Sequence, residues 1–201
     1  MAVELPELIV SDAAAWRAWL SKHHADPAGI WLVLAKKGTK EPTSLTYDQA
    51  LEEALCHGWI DGQRRSGDAS TFVQRYTPRR ARSPWSKRNV GIAERLTKQG
   101  RMRAAGGAEV ERARADGRWQ AAYEGQRTIV VPADLAARLA TEPRAQAMFE
   151  ILTSQNRYAV LYRIATAKRA DTRARRIGEF VAMLGRGETI HPQKSTQPKR
   201  R

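Results

Sequence analysis

Apolar residues recur along the first part of the chain with two different periods. Trp16 and Leu20 stand four residues apart on one face of a helical pattern that follows a polar capping pair at positions 11–12. The short apolar run 30–35 contains β-branched residues and a tryptophan, which is typical of a buried strand. These patterns predict a helix followed by a strand.

A second helix and a hairpin are predicted further along. Thr46 and Gln49 have the spacing of a capping box, and Gly58 is placed to end the helix that follows them. The stretches 59–65 and 71–76 flank a short turn of serine, glycine and aspartate. Extended stretches on either side of such a turn predict a β-hairpin.

The next elements are predicted mainly from capping and stop signals. Ser86 is a suitable cap for a helix that ends near Gln99 and is stopped by a glycine. Residues 109–116 form another helical pattern, and the run 128–131 is a possible short strand.

From Pro132 onward the pattern becomes entirely helical. Three helical patterns follow, with start signals at Pro132, at Pro143 and at Ser154 or Asp171. We therefore expect an α+β fold, in which a small, mainly antiparallel sheet with packing helices is followed by a helical C-terminal module. The predicted organisation is an α+β domain at 1–131, a helical module at 132–187 and a disordered basic tail at 188–201.

Composition narrows the class of protein. The chain has 201 residues, of which 42% are hydrophobic, so it can bury a core. Cys56 is its single cysteine, which excludes an intramolecular disulfide, and no apolar run is long enough for a transmembrane helix. The first ten residues lack the basic start of a signal peptide, so we expect a cytoplasmic protein.

Positive charge dominates and is unevenly distributed. Lysine and arginine total 35 against 21 aspartate and glutamate residues, which gives a net charge of +14. A chain of this charge attracts polyanions, although charge alone does not distinguish a binding surface from an ordinary solvated face. Aromatic residues lie between the arginines of the first cluster, a combination found in nucleic-acid-binding surfaces. The residues predicted for nucleic-acid binding are Arg64, Arg65, Arg75, Lys87, Arg88, Arg169, Arg173 and Arg176.

A proline-braced loop after the hairpin carries the densest polar and aromatic pattern. Asp61 alternates with Trp59 on a strand, so both side chains point to one face, and the acid needs a partner such as a nearby arginine. Ser86 leaves free N–H groups at a helix start close to several arginines, which outlines an anion pocket. The alternative is that these residues only fix the loop. The predicted ligand-binding set is Trp59, Asp61, Arg79, Arg80, Ser83, Trp85, Ser86 and Asn89.

Familiar enzyme signatures are absent from the sequence. Cys56 and His57 are adjacent, but consecutive residues on a helix do not face each other, so a structural cysteine and a helix-capping histidine are the simpler readings. No histidine or cysteine spacing fits a metal site. We therefore assign no catalytic residue, no cofactor and no metal. An unfamiliar enzyme using Asp61 or His57 as acid or base stays an alternative.

Several motifs in order resemble the bacterial YdeI/OmpD-associated family. They are Ala54 to Gly62, Pro78-Arg79, Ser83 to Ser86 with Asn89, Gly100 to Met102, Gly117 to Trp119, Ala167 to Arg169, Thr172-Arg173 and Arg176-Ile177. The resemblance extends from about Leu5 to Gly187 and implies a bacteriocin-protection protein linked to resistance against cationic antimicrobial peptides. It implies no catalytic residue.

The sequence therefore predicts a non-enzymatic stress and antimicrobial-peptide resistance protein. It would bind an anionic ligand or an acidic partner through its arginine- and tryptophan-rich loop. In that picture Arg79 neutralises the ligand, Trp59 or Trp85 stacks on it, and Asp61 orients an arginine. Salt-dependent nucleic-acid binding is the alternative function.

Overall fold

The computed structural model describes residues 5–193, and these residues divide into two compact units, unit 1 up to residue 122 and unit 2 from residue 123. Unit 1 combines a sheet with helices, whereas the described part of unit 2 is helical. The α+β prediction is confirmed. The elements of unit 1 are β1 (Glu7–Leu8), α1 (Ala13–His23), β2 (Ile30–Ala35), α2 (Tyr47–Cys56), β3 (Trp59–Ser66), β4 (Thr71–Pro78), α3 (Lys87–Lys98) and α4 (Ala104–Ala115).

The sheet has four strands in the order β1-β2-β4-β3 and is mainly antiparallel, as predicted. β2 and β3 each pair antiparallel with β4, and only the two-residue strand β1 runs parallel to its neighbour. The register between β3 and β4 shifts between Asp61 and Arg64, which marks a β-bulge. Because β3 is last in the strand order, this long strand forms one edge of the sheet.

One face of the sheet carries the main core of unit 1. Leu32 and Leu34 of β2 lie on the same face as Phe72 and Tyr76 of β4 because side chains alternate along each strand. Trp16 of α1 packs into this face, and its indole N–H donates to the carbonyl of Ala50 in α2 at 3.1 Å. The helices α1 and α2 are thus fixed to each other and to the sheet by one cluster.

Local capping signals in the sequence are found as expected. The Asp12 side chain accepts a hydrogen bond from the backbone N–H of Ala15 at the start of α1. Thr46 and Gln49 form the reciprocal capping box at the start of α2. Gly58 ends α2 at φ +77°, a conformation that glycine adopts without strain.

A buried carboxylate connects α1, α2 and the segment before α4. Glu53 is 3% exposed, and Arg17 binds it through two N–H donors at 2.9 and 2.8 Å. Arg101 reaches the same carboxylate at 2.7 Å and also binds Glu52 at 2.7 Å. Burial alone would raise the pKa of Glu53, but the two arginines together hold it below its ordinary value.

The helix predicted at 109–116 begins earlier, at Ala104, and contains Gly106 and Gly107, which weaken the helical signal in the sequence. A side chain at position 106 would put its Cβ 2.6 Å from the carbonyl oxygen of Leu55. Real Cβ atoms do not approach backbone that closely, so glycine here permits α4 to pack against the end of α2.

Unit 2 consists of four described helices, α5 (Ala133–Ala140), α6 (Pro143–Glu150), α7 (Ser154–Ala165) and α8 (Ala170–Gly185). The sequence predicted three helical patterns, with Ser154 and Asp171 as alternative starts, whereas each of these two positions lies in its own helix. The prediction of a short strand at 128–131 is wrong, because Ile129 and Val131 pack against the helical core instead. None of the helices that the structure describes is long and apolar enough to cross a membrane.

The first residues of the predicted tail lie against unit 2. Asn156 is 1% exposed, donates to the carbonyl of His191 at 3.0 Å and accepts the backbone N–H of His191 at 2.8 Å. Ile190 packs on the core of the unit, and Gln193 accepts a hydrogen bond from the backbone N–H of Thr153. The rest of the predicted tail, 194–201, lies outside the described residues.

The contacts of Glu53 with Arg17 and Arg101 should stabilise unit 1 to an extent that depends on pH. Replacing Glu53 with glutamine leaves Arg17 and Arg101 without their shared carboxylate, and we expect unit 1 to lose about 3 kcal/mol of unfolding free energy at pH 7. All six tryptophans lie in unit 1, so tryptophan fluorescence during urea unfolding reports on that unit.

The pH dependence has a definite sign. Because the folded-state pKa of Glu53 is lowered, its stabilisation is present above the unfolded pKa and disappears as pH falls through the folded value. The difference between the native chain and Glu53→Gln should therefore shrink below about pH 4. Glu94→Gln, at an exposed position in α3, is the control. A difference that stays constant with pH would contradict the assignment.

Candidate functional site

The loop between β4 and α3 is fixed by its own hydrogen bonds. The backbone N–H of Arg80 donates to the hydroxyl of Ser83 at 3.0 Å, and the backbone N–H of Ser83 returns to the carbonyl of Arg80 at 2.9 Å. Ser86 caps α3 by accepting the backbone N–H of Asn89 at 3.1 Å, as predicted. The Asn89 side chain is buried in the first turn of that helix.

Arg79 is packed into the protein. The residue is 6% exposed, its guanidinium carbon lies 3.6 Å from the ring centroid of Trp85, and its Nη1 donates to the carbonyl of Pro84 at 3.3 Å. Its backbone N–H binds the carbonyl of Gly58 at 2.9 Å. This arrangement fixes the loop on unit 1, so the predicted role of Arg79 as the residue that neutralises a ligand does not fit its burial.

The two predicted stacking tryptophans are core residues. Trp59 is 0% exposed, and its indole N–H donates to the carbonyl of His24 at 2.8 Å. Trp85 is 2% exposed and meets Trp119 edge-on at 4.9 Å. Neither ring has a face open to solvent, so the expectation that one of them stacks on a ligand is corrected.

Asp61 lies on the same sheet face as Trp59, as predicted, but its partner is a tyrosine. The hydroxyl of Tyr47 donates to Asp61 at 2.8 Å. Arg88 donates to the same hydroxyl at 3.3 Å and to Asp48 at 2.7 Å. The expected arginine is therefore connected to Asp61 only through Tyr47. Burial, and then the charge of Asp61, raises the pKa of Tyr47 to about 12, which keeps this phenol protonated as a donor.

Two of the predicted ligand residues, Arg80 and Ser83, line an open groove on the outer side of the β3–β4 hairpin. The groove has a volume of about 320 Å³. The residues around it are Gly62, Gln63, Arg75, Thr77, Pro78, Arg80 and Ser83, which we call the hairpin groove. Its lining contains two arginines and no acid.

The arginines of the hairpin groove have unused donors. Across the described residues, neither Arg75 nor Arg80 forms an ion pair with a carboxylate. Arg75 approaches only the side-chain oxygen of Gln63, at 3.5 Å, and its buried Nε has no hydrogen-bond partner. An anion in the groove would supply acceptors to these groups.

The floor of the groove is fixed by the bulge in β3. The side-chain amide of Gln74 donates to the carbonyls of Gly62 and Gln63, at 2.8 and 3.1 Å. Gln63 was not among the sequence candidates, because it meets Arg75 only across the hairpin. The sequence groups Arg75 with the residues predicted for nucleic-acid binding instead. Pairing the residues of the two predicted strands outward from the turn would have placed Gln63 beside Arg75.

Most of the arginines predicted for nucleic acid have partners within their own unit. The guanidinium carbon of Arg64 lies 3.8 Å from the ring centroid of Phe72, and that of Arg65 lies 3.8 Å from the ring centroid of Trp31. The two contacts are on opposite faces of the sheet. The remaining contacts are Arg88 with Asp48, Arg169 with Asp171, Arg173 with Asp134 and the carbonyl of Ile164, and Arg176 with the carbonyl of Arg163. Lys87 is exposed at the first position of α3.

Cys56 and His57 occupy structural positions at the end of α2. His57 is 5% exposed, with Nδ1 2.9 Å from the carbonyl of Glu53 and Nε2 3.3 Å from the hydroxyl of Ser21. Burial lowers the pKa of His57 and raises the pKa of the Cys56 thiol to about 11. Within residues 5–193 there is no group of three or more metal-binding side chains.

Removing the Arg79 side chain should therefore affect stability. We expect Arg79→Ala to lower the unfolding free energy of unit 1 by about 2–3 kcal/mol, because a desolvated cation–π contact and its hydrogen bond are lost. Arg82→Ala, at an exposed position on the same loop, should change it by less than about 0.5 kcal/mol. Urea unfolding followed by tryptophan fluorescence measures both. Equal stability of the two variants would contradict the packing role.

Comparison with known proteins supports two family assignments along the chain. Residues 8–109 match the model described as domain of unknown function (DUF8412), and residues 128–187 match the model described as bacteriocin-protection, YdeI or OmpD-associated. The motifs from Ala54 to Met102 thus lie in the first match, and those from Ala167 to Ile177 in the second. No curated protein and no solved structure matches. The chain therefore belongs to the DUF8412 family through unit 1 and contains a bacteriocin-protection, YdeI or OmpD-associated domain in unit 2.

Proposed function

We propose that this protein supports bacteriocin protection by binding an anionic ligand in the hairpin groove. The match of residues 128–187 indicates a bacteriocin-protection-related function. The observation that carries the proposed ligand class is the pair Arg75 and Arg80, which line one groove with no carboxylate among its residues. Guanidinium groups bind phosphate and carboxylate through paired N–H donors.

The contrast with other arginines strengthens this proposal. Arg17, Arg88 and Arg101 each bind carboxylates of unit 1, so their charge is already compensated. Arg75 and Arg80 keep their charge at the surface of a groove that also offers the Ser83 hydroxyl and the Gln63 amide. A ligand of small or extended oxyanion type fits this donor set.

We propose a binding function for this protein and not a catalytic one. We also propose that the protein acts in the cytoplasm. A chain with net charge +14 repels cationic peptides, so protection by direct capture of such a peptide is unfavourable. Protection through an anionic ligand or an acidic partner avoids that repulsion. The buried, protonated Cys56 thiol and the neutral His57 are not arranged as a nucleophile with its base.

Nucleic acid is a second candidate ligand, favoured by the position of Arg64 and Arg65 on the exposed part of β3. Its binding should weaken steeply with salt, because each phosphate contact releases counterions. Labelled DNA and RNA, titrated at low and physiological salt, distinguish it from a groove ligand. Nucleic-acid binding that persists at physiological salt would favour this candidate.

Inorganic pyrophosphate is the first probe for the hairpin groove. We expect saturable binding by isothermal titration calorimetry, and we expect Arg75→Gln and Arg80→Gln each to weaken it about tenfold through loss of a charge-assisted hydrogen bond. Arg144→Gln is the matched control, because Arg144 is exposed in unit 2 and has no carboxylate partner among the described residues.

Two results would overturn the groove proposal. Equal weakening by Arg75→Gln and Arg144→Gln would show that only net charge matters. Absence of binding by pyrophosphate, phosphate and a dicarboxylate such as succinate would remove the anion site itself. Circular dichroism of each variant confirms that a loss of binding does not arise from unfolding.

A further inference from the structure

The free edge of β3 lies directly beside the hairpin groove. β3 is the last strand in the sheet order and pairs only with β4, and its five residues from Gly62 to Ser66 are exposed. The opposite edge is the two-residue strand β1. In an edge strand alternate residues direct their N–H and C=O groups away from the sheet. β3 therefore presents main-chain groups that can pair with another extended segment.

A second copy of β3 is a poor occupant of this edge. Arg64 and Arg65 would lie close to the same two residues of the copy, and like charges on paired strands are destabilising. The bulge at 62–63, held by Gln74, further disturbs regular pairing between two such edges. The edge is built against self-association.

The charge around the edge selects an acidic occupant. Arg65 lies on the same sheet face as Arg75, and Arg64 lies on the opposite face. The acids nearest to the hairpin are already engaged: Asp61 accepts from Tyr47, and Asp68 accepts from the N–H and hydroxyl groups of Ser70 and Thr71. No carboxylate in the described part of the hairpin competes for these arginines.

Strand geometry fits an occupant with acids at every second position. Side chains of a strand added to β3 would alternate between the two faces, so one alternate set would point toward the face of Arg65 and the hairpin groove. Acidic side chains in that set would meet Arg65, Arg75 and Arg80. Main-chain hydrogen bonds give such a complex affinity, and the groove gives it selectivity.

We propose that the β3 edge binds an extended acidic peptide segment by strand addition, with its carboxylates in the hairpin groove. This proposal rests on the proposed function, since it names the ligand class of the same groove. The partner is thus a protein whose accessible segment is extended, acidic at alternate positions and free to form a strand.

The test uses the full chain and a defined probe. The probe is a fluorescein-labelled peptide of eight residues, alternating threonine and glutamate, with blocked ends. Two further versions carry N-methyl groups either on all the glutamate amides or on all the threonine amides. Both keep the charge, but each removes the main-chain donors that face one side of the peptide strand.

We expect the unmodified peptide to bind and one N-methylated version to bind at least about tenfold more weakly, because its N–H groups can no longer pair with β3. The other version should bind within about twofold of the unmodified peptide. Fluorescence anisotropy at physiological salt measures all three. Arg80→Gln should weaken the peptide and pyrophosphate alike, whereas Arg144→Gln should weaken neither.

The outcomes separate the two proposals. Equal binding by both N-methylated versions, or equal loss in both, would overturn strand addition while leaving pyrophosphate binding in the groove intact. Stronger binding of a single-stranded oligonucleotide of the same charge, insensitive to Arg80→Gln, would also overturn it. Absence of pyrophosphate binding would instead contradict the groove function on which the peptide proposal rests.

Discussion

Glu53 carries a carboxylate that is only 3% exposed, and its burial is tolerable because Arg17 and Arg101 both bind it. These contacts fix α1 and the segment before α4 to α2. Gly106 then lets α4 approach the end of α2, and Gly58 turns the chain directly into β3. Because Arg79 binds the carbonyl of Gly58, the position of the groove loop also depends on this corner.

Two sets of arginines in unit 1 differ in their surroundings. Arg17, Arg88 and Arg101 bind carboxylates, and Arg79 stacks on Trp85, so these residues support the fold. Arg75 and Arg80 line the hairpin groove with no acid beside them. Part of the strongly basic composition is therefore structural, and Arg75 and Arg80 are the cations to which we assign the proposed anion site.

Sequence patterns predicted the elements that have local signals. The buried strand at 30–35, the capping box at Thr46 and the cap at Ser86 depend on neighbours within a few residues, and the structure has them. The start of α4 was missed because glycines weaken a helical pattern that tertiary packing requires. The run 128–131 has the composition of a strand, but the described part of unit 2, residues 123–193, contains no strand with which it could pair.

The site was harder to predict because its residues meet across the hairpin. Spacing grouped Arg80 with Ser83, which line the same groove, but it also included Trp59 and Trp85, since composition cannot distinguish a buried tryptophan from a stacking platform. The tyrosine that binds Asp61 lies in a different helix, and no local pattern connects the two residues. Gln63 and Arg75 are neighbours only across the hairpin, so their proximity depends on the register of β3 and β4.

The side-chain Nε–H signals of the arginines, observed by nitrogen-edited NMR during a pyrophosphate titration, test this division most directly. If the hairpin groove is the anion site, the signals of Arg75 and Arg80 shift and saturate together. The signals of Arg17, Arg79 and Arg101 stay in place, because those guanidinium groups are held by the protein. Small shifts spread over all exposed arginines without saturation would contradict the account and assign the charge to a general surface effect.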